Sequence, residues 1–145
     1  MALELYPVIL YDAEQVPECE SEIEEACNAI HKATKGWGTD DKGLCVVLGS
    51  KDAKKRTKIA FHYKRMFENN LDELIKKEVG GKFGAALRLL SLPPDAMEAR
   101  LVNLAMKGIG TRNGHLFPVV CGRSNRDIEL LKKAYSNKFG RDLGE

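Results

Sequence analysis

The chain has 145 residues, of which 43% are hydrophobic and 30% charged, and its formal net charge is +2. That length supports a core without disulfide or metal staples, the composition is that of an ordinary globular protein, and no 18-residue apolar run is present to span a bilayer. So small a net charge gives no ground for a nucleic-acid partner. The opening stretch MALELYPVILYDAEQVPE lacks the basic segment and small-residue cleavage site of a secretory signal, which points to the cytoplasm. Cys19, Cys27, Cys45 and Cys121 form no C-x-x-C pair. Neither zinc nor a disulfide framework is expected, and buried free thiols are the simpler reading.

The elements follow from Ser21 onward. Ile23, Ala26, Cys27, Ile30 and Ala33 keep the i, i+3, i+4, i+7 spacing of a one-faced helix. Ser21 with Glu24 has the form of a capping box, and Gly36 and Gly38 stop the helix. A short helix from Asp41 to about Leu48 follows, then one from Ala53 to Phe67 with Ile59, Tyr63, Met66 and Phe67 on one side. Asn70 and Glu73 signal a fourth start, with Leu71, Leu74 and Ile75 as its apolar face and Gly80-Gly81 as its end. Phe83, Ala86, Leu87 and Leu90 mark a fifth helix, closed by Pro93-Pro94. Asp95 and Glu98 then cap another, with Met97, Leu101, Leu104 and Ala105. No strand alternation is present, so the fold class is all-α.

A single register shift brings Lys35–Thr39 (KGWGT) onto Lys107–Thr111 (KGIGT). The same shift pairs Ala33 with Ala105, Leu44 with Leu116, Val47 with Val119, Tyr63 with Tyr135, Phe67 with Phe139 and Leu71 with Leu143, without a gap. A register kept across four helices implies an array of one helical unit whose stacked neighbours share a core. Residues 1–20 then form a tail, 21–92 one complete unit and 93–145 an incomplete second one.

The chemistry sits in the first KGWGT loop. It follows a helix end, where carbonyls lack intrahelical partners and the dipole favours cations. Gly36 and Gly38 can take positive φ and turn carbonyls outward. Thr34, Gly36 and Gly38 can therefore offer hard oxygen ligands, which suits calcium with its 6–8 oxygens. A carboxylate is still required, and far along the chain from Thr39 stands Glu78, at the end of the fourth helix just before Gly80-Gly81.

Gly36-Trp37-Gly38-Thr39, with Glu78 at its particular spacing from Thr39, resembles the calcium signature of annexin repeats. The five-helix unit, the long repeat period and the ending Phe139-Gly140-Arg141-Asp142-Leu143 are similar to annexin repeats as well. The resemblance covers Ser21 to Glu145. It implies annexin-like five-helix repeats, the second truncated, and a protein that binds anionic phospholipid membranes peripherally with Ca2+ as cofactor; no Ser/His/Asp or Cys/His arrangement in the residue order indicates an enzyme. One ion would be held by the carbonyls of Thr34, Gly36 and Gly38 and by bidentate Glu78. Lys35, Trp37, Lys107 and Ile109 would meet the membrane. Annexins usually carry four repeats, so the chain resembles a fragment or a shortened form.

The second loop matches in part. Met106, Gly108 and Gly110 offer carbonyls, but the matching acid falls outside the sequence, and Arg112 replaces the acidic Asp40. Gly114 and Pro118 predict a shortened or kinked helix behind it. Lys51, Lys54, Lys55, Arg56, Lys58, Lys64 and Arg65 crowd one stretch around the third helix, a solvated face or the seat of an acidic protein partner. Leu101, Leu104, Ile128, Leu131 and Tyr135 would be left uncovered by the truncation, favouring a homo-oligomer. His31, His62 and His115 show no spacing for a metal or catalytic pair. Two other readings remain open on the sequence: a calcium-independent cytoskeletal or scaffolding repeat protein, and an enzyme, for which no catalytic arrangement is evident.

Overall fold

A computed structural model describes residues 18–107, 110 and 113–144. The chain divides between Pro93 and Pro94 into two compact units. The first holds α1 (Ser21–Thr34), α2 (Asp41–Gly49), α3 (Ala53–Phe67), α4 (Leu71–Glu78) and α5 (Gly81–Leu90). In it α1 packs on α2 and α3, α4 on α5 and α3, and α5 on α2. Ile23, Cys27, Ile30, Leu44, Leu48, Ile59, Tyr63 and Ile75 form its core, each 0–1% exposed. Side chains of that size contribute roughly 1.5–3 kcal/mol each when fully buried. This is the helical period of the sequence carried into packing.

Two acidic residues start helices in this unit. The Asp40 carboxylate accepts from Gly43 N at 2.9 Å and the Asp52 carboxylate from Lys55 N at 2.7 Å, each worth ~1 kcal/mol to its helix. The capping box expected at Ser21 is absent. Glu20 is the N-cap of α1 and makes no side-chain cap bond. The Ser21 hydroxyl instead donates to Glu25 within the helix, at 3.2 Å. Asn70 does precede α4, again without a side-chain cap bond.

The second unit holds α6 (Pro94–Met106), α7 (Asn113–Val120) and α8 (Asn125–Phe139), with α6 packed on both α7 and α8. α6 starts on Pro94, whose missing N–H costs nothing at a first helical position, so Asp95 lies inside the helix and does not cap it. Glu98 is buried and ion-paired with Arg123, whose Nε also donates to Val119 O at 2.9 Å. α7 runs through Pro118 and has 8 residues where α2 has 9, a shortening by a single residue. Leu131 and Tyr135 are 0% exposed in this unit's own core with Ala99, Val102 and Val119. The expectation that they stand uncovered is thus corrected. Leu104, at 45%, is the exposed member of that group, and Leu101 and Ile128 are half-buried.

The two units repeat one internal device. Tyr63 meets Phe67 at 4.8 Å and 44°, and Tyr135 meets Phe139 at 4.9 Å and 49°. His31 stacks on Phe67 at 4.1 Å and its Nδ1 lies 3.5 Å from the Tyr63 hydroxyl. Asn103 holds the corresponding place and donates to the Tyr135 hydroxyl at 3.2 Å. His62 is buried beside Arg65 and Lys58, and burial lowers its pKa below the usual imidazole value. Of the four thiols only Cys27 is buried, with its pKa pushed up to about 12 by desolvation. Cys19 is half-buried and Cys45 and Cys121 are exposed, contrary to the expectation for all four.

Candidate metal centre

The loop between α1 and α2 is shaped by its glycines and closed by its own backbone. Gly36 has φ +119° and Gly38 φ +81°, both in the region that strains any side chain. Asp40 N donates to Ala33 O at 2.9 Å and Asp41 N to Thr39 O at 3.1 Å. These closing bonds use the carbonyls of Ala33 and Thr39 and leave those of Thr34, Gly36 and Gly38 out of the closure. The Thr34 hydroxyl turns back onto α1, donating to Ile30 O at 3.0 Å or His31 O at 3.2 Å. Its side chain is thereby occupied and its main-chain oxygen is the candidate ligand. Trp37, at 108% exposure, projects from the tip, with Lys35 exposed beside it. Trp37 is not folded back on its unit.

Glu78 comes to this loop from the far end of the unit. It is the last residue of α4 and half-buried. Arg88 on α5 holds α4 in place: its Nε donates to Asp72 O at 3.1 Å and one terminal nitrogen reaches Glu73 at 3.1 Å and Asp72 at 3.6 Å. Behind Glu78, Gly84 packs so tightly on the Val79 main chain that a Cβ there would lie 2.0 Å from Val79 O. The Thr39 hydroxyl spans the remaining gap, lying 3.3 Å from Glu78 O and 3.3 Å from Glu78 Oε2. Thr39 was read in the sequence only as part of a motif. Its contact with Glu78 crosses 39 positions, and no local pattern announces it.

Among the described residues no three His, Cys, Asp or Glu side chains converge as a metal cage. The candidate donors are carbonyl oxygens and one carboxylate, the hard set that calcium takes and zinc does not favour. In the second loop, Gly110 has φ +81°, the value of Gly38. Met106 is half-buried at the end of α6 and Lys107 is exposed. Gly108, Ile109 and Arg112 lie outside the described residues.

The basic residues of α3 are partly answered from within. Lys51 and Lys55 both bind Glu22, at 2.6 Å and 2.7 Å, and Lys58 pairs with Glu20. Arg56 donates to Lys51 O. Two lysines beside one carboxylate hold the Glu22 pKa down at about 2. Lys54, Lys64 and Arg65 remain exposed, with Arg65 6.0 Å above the Phe61 ring.

The annexin family model matches residues 25–90 and 97–145. The chain belongs to the annexin family. Annexin A13 of Mus musculus is 37% identical over 114 residues, which are 79% of this chain and 36% of that protein. Annexin A8 of Oryctolagus cuniculus is 34% identical over 116 residues, 80% of this chain and 36% of the relative. The solved structure of annexin III superposes with a TM-score of 0.75 at 28% identity, covering 89% of this chain and 39% of its own. This annexin chain thus spans less than two fifths of the length of the curated relatives named here. The all-helical repeat fold is the family's. Annexins in general bind phospholipid in a calcium-dependent way and are not enzymes. Among the described residues no helix is long and apolar enough to cross a membrane.

Proposed function

We propose that this chain binds anionic phospholipid surfaces in a calcium-dependent manner through the Gly36–Thr39 loop and Glu78. The observation that carries this reading is the Thr39 hydroxyl at 3.3 Å from both the main chain and the carboxylate of Glu78. It sets the unit's distal acid against a loop whose glycines stand at positive φ. In the same reading residues 21–92 are one annexin repeat, 93–145 part of another, and 1–20 a tail.

The carbonyls of Thr34, Gly36 and Gly38 and the Glu78 carboxylate would hold one calcium ion. When bound, the ion supplies a positive charge with coordination places left for a lipid phosphate oxygen. The protein offers at most five oxygens and a single formal charge, so the loop alone binds weakly and an anionic headgroup completes the shell. Linkage then requires calcium and lipid to strengthen each other's binding by one common factor. Lys35 adds ~1 kcal/mol of attraction at an anionic surface. Trp37 carries an indole suited to the headgroup level. Lys107 and Ile109 would add contacts from the second loop, whose candidate ligands are the carbonyls of Met106, Gly108 and Gly110.

A protein partner on α3 is the weaker reading, because Glu20 and Glu22 already take Lys55 and Lys58 of that helix and Lys51 just before it. The test is Glu78→Gln, which keeps the side chain's shape and removes its charge. Sedimentation with phosphatidylserine vesicles should be calcium-dependent for the natural chain and lost in the variant, with the helical circular dichroism unchanged. Equal sedimentation of the two proteins would overturn the site.

A further inference from the structure

We infer that Thr39 is a positioning residue that sets the calcium demand of the site by holding Glu78, an inference that rests on the reading just given. Glu78 is the terminal residue of α4 and half-buried, so its side chain has rotamer freedom that ligation must remove, at a cost in conformational entropy. Thr39 restricts that freedom before any ion arrives. Its β-branched side chain is stiff about χ1, so the hydroxyl direction is fixed by the loop backbone. Both acceptors within its reach belong to one residue, the carbonyl and Oε2 of Glu78, each at 3.3 Å.

The hydroxyl has one proton for two acceptors. Bonded to the carbonyl, it ties the end of α4, where carbonyls lack helical partners, to the loop that bears Gly36 and Gly38. Bonded to Oε2, it turns the carboxylate toward the same loop. The first arrangement survives ligation of the carboxylate, and the second prepares it. Removing groups that orient a metal ligand typically costs 10–100-fold in affinity. Because both contacts, at 3.3 Å, are long for an O–H···O bond, the effect expected here is at the lower end.

The experiment uses the full chain and three variants. Thr39→Val keeps the shape without the hydroxyl, Thr39→Ser keeps the hydroxyl without the methyl, and Glu78→Gln removes the acid. Each is titrated with calcium in the presence of phosphatidylserine vesicles. Each is also melted without lipid, in chelator and at rising calcium, to read the thermal shift. Thr39→Val should need about ten-fold more calcium for half-maximal binding and show a correspondingly displaced thermal shift, with an unchanged binding plateau. Thr39→Ser should restore both to near the natural values. A natural calcium demand in Thr39→Val would overturn the inference while loss of binding in Glu78→Gln kept the site. So would a Thr39→Ser as impaired as Thr39→Val, since the methyl and its packing would then be the cause. If Glu78→Gln binds like the natural chain, the site itself fails and the role of Thr39 with it.

Discussion

Replacing Gly84 by alanine sets two effects of opposite sign against each other. Alanine in a helix interior is favoured over glycine by ~1 kcal/mol, and Gly84 lies inside α5. Its Cβ, however, would stand 2.0 Å from Val79 O and 2.6 Å from Val79 C. The junction must open by more than ~1 Å to reach ordinary van der Waals contact. Overpacking typically costs ~1–3 kcal/mol, and the obstacle here is backbone, which cannot swing aside, so the upper half of that range applies. The net expectation is a loss of ~1–2 kcal/mol. At roughly 4–8 °C per kcal/mol for a domain of about 60–100 residues, the first unit should melt about 4–16 °C lower. The assay is thermal unfolding by circular dichroism in chelator, with Gly49→Ala as control, since a Cβ there meets nothing within 4 Å. The control should melt no lower than the natural chain. Because Val79 directly follows Glu78, Gly84→Ala should also raise the calcium demand of vesicle binding. A Gly84→Ala protein that melts at or above the natural chain would refute the reasoning, since helix propensity would then outweigh the collision.

The Glu22 carboxyl is held down at about 2 by Lys51 and Lys55, so its folded-state pKa lies below its unfolded one. The stability it adds is present above pH 4.5 and lost as the pH falls toward 2. The melting gap between the natural chain and Glu22→Gln should therefore be widest at neutral pH and low salt, and close through that window; a gap independent of pH would count against the clamp. Trp37 should emit at shorter wavelength with calcium and anionic vesicles together, and change far less with calcium alone. Unaltered emission from sedimented protein would mean that the membrane is met through another surface.

The parts of the fold that could be read in advance are those written at short range or written twice. Ile23, Cys27 and Ile30 repeat at the helical period and are all buried. The register shift between the two units pairs Tyr63 with Tyr135 and Phe67 with Phe139, and the two ring pairs adopt nearly equal geometry. Gly38 and Gly110, matched by the same shift, share a φ of +81°. Repetition supplies what one copy cannot: a chance G-x-G-T does not bring its helices along.

What escaped the sequence reading was decided across the chain. Ser21 and Glu24 satisfy the capping pattern, yet α1 takes Glu20 as N-cap, and Glu20 and Glu22 reach across to Lys58, Lys51 and Lys55. Ion pairs with α3 fix the entry of α1, and a rule about residues three apart contains no knowledge of them. The same contacts change the meaning of the basic run on α3, which reads as an open cationic face until its acidic neighbours are in place. Thr39 is the sharpest instance. In the sequence it is the last letter of a loop motif, while Glu78 is a remote acid identified by its spacing alone. Only when α4 is held by Arg88, and Gly84 lets α5 close on Val79, does that spacing become a distance of 3.3 Å. The spacing in the motif is thus a consequence of how α4 packs against the loop that bears Thr39. A variant that preserved the spacing but loosened that packing would keep the signature and weaken the site.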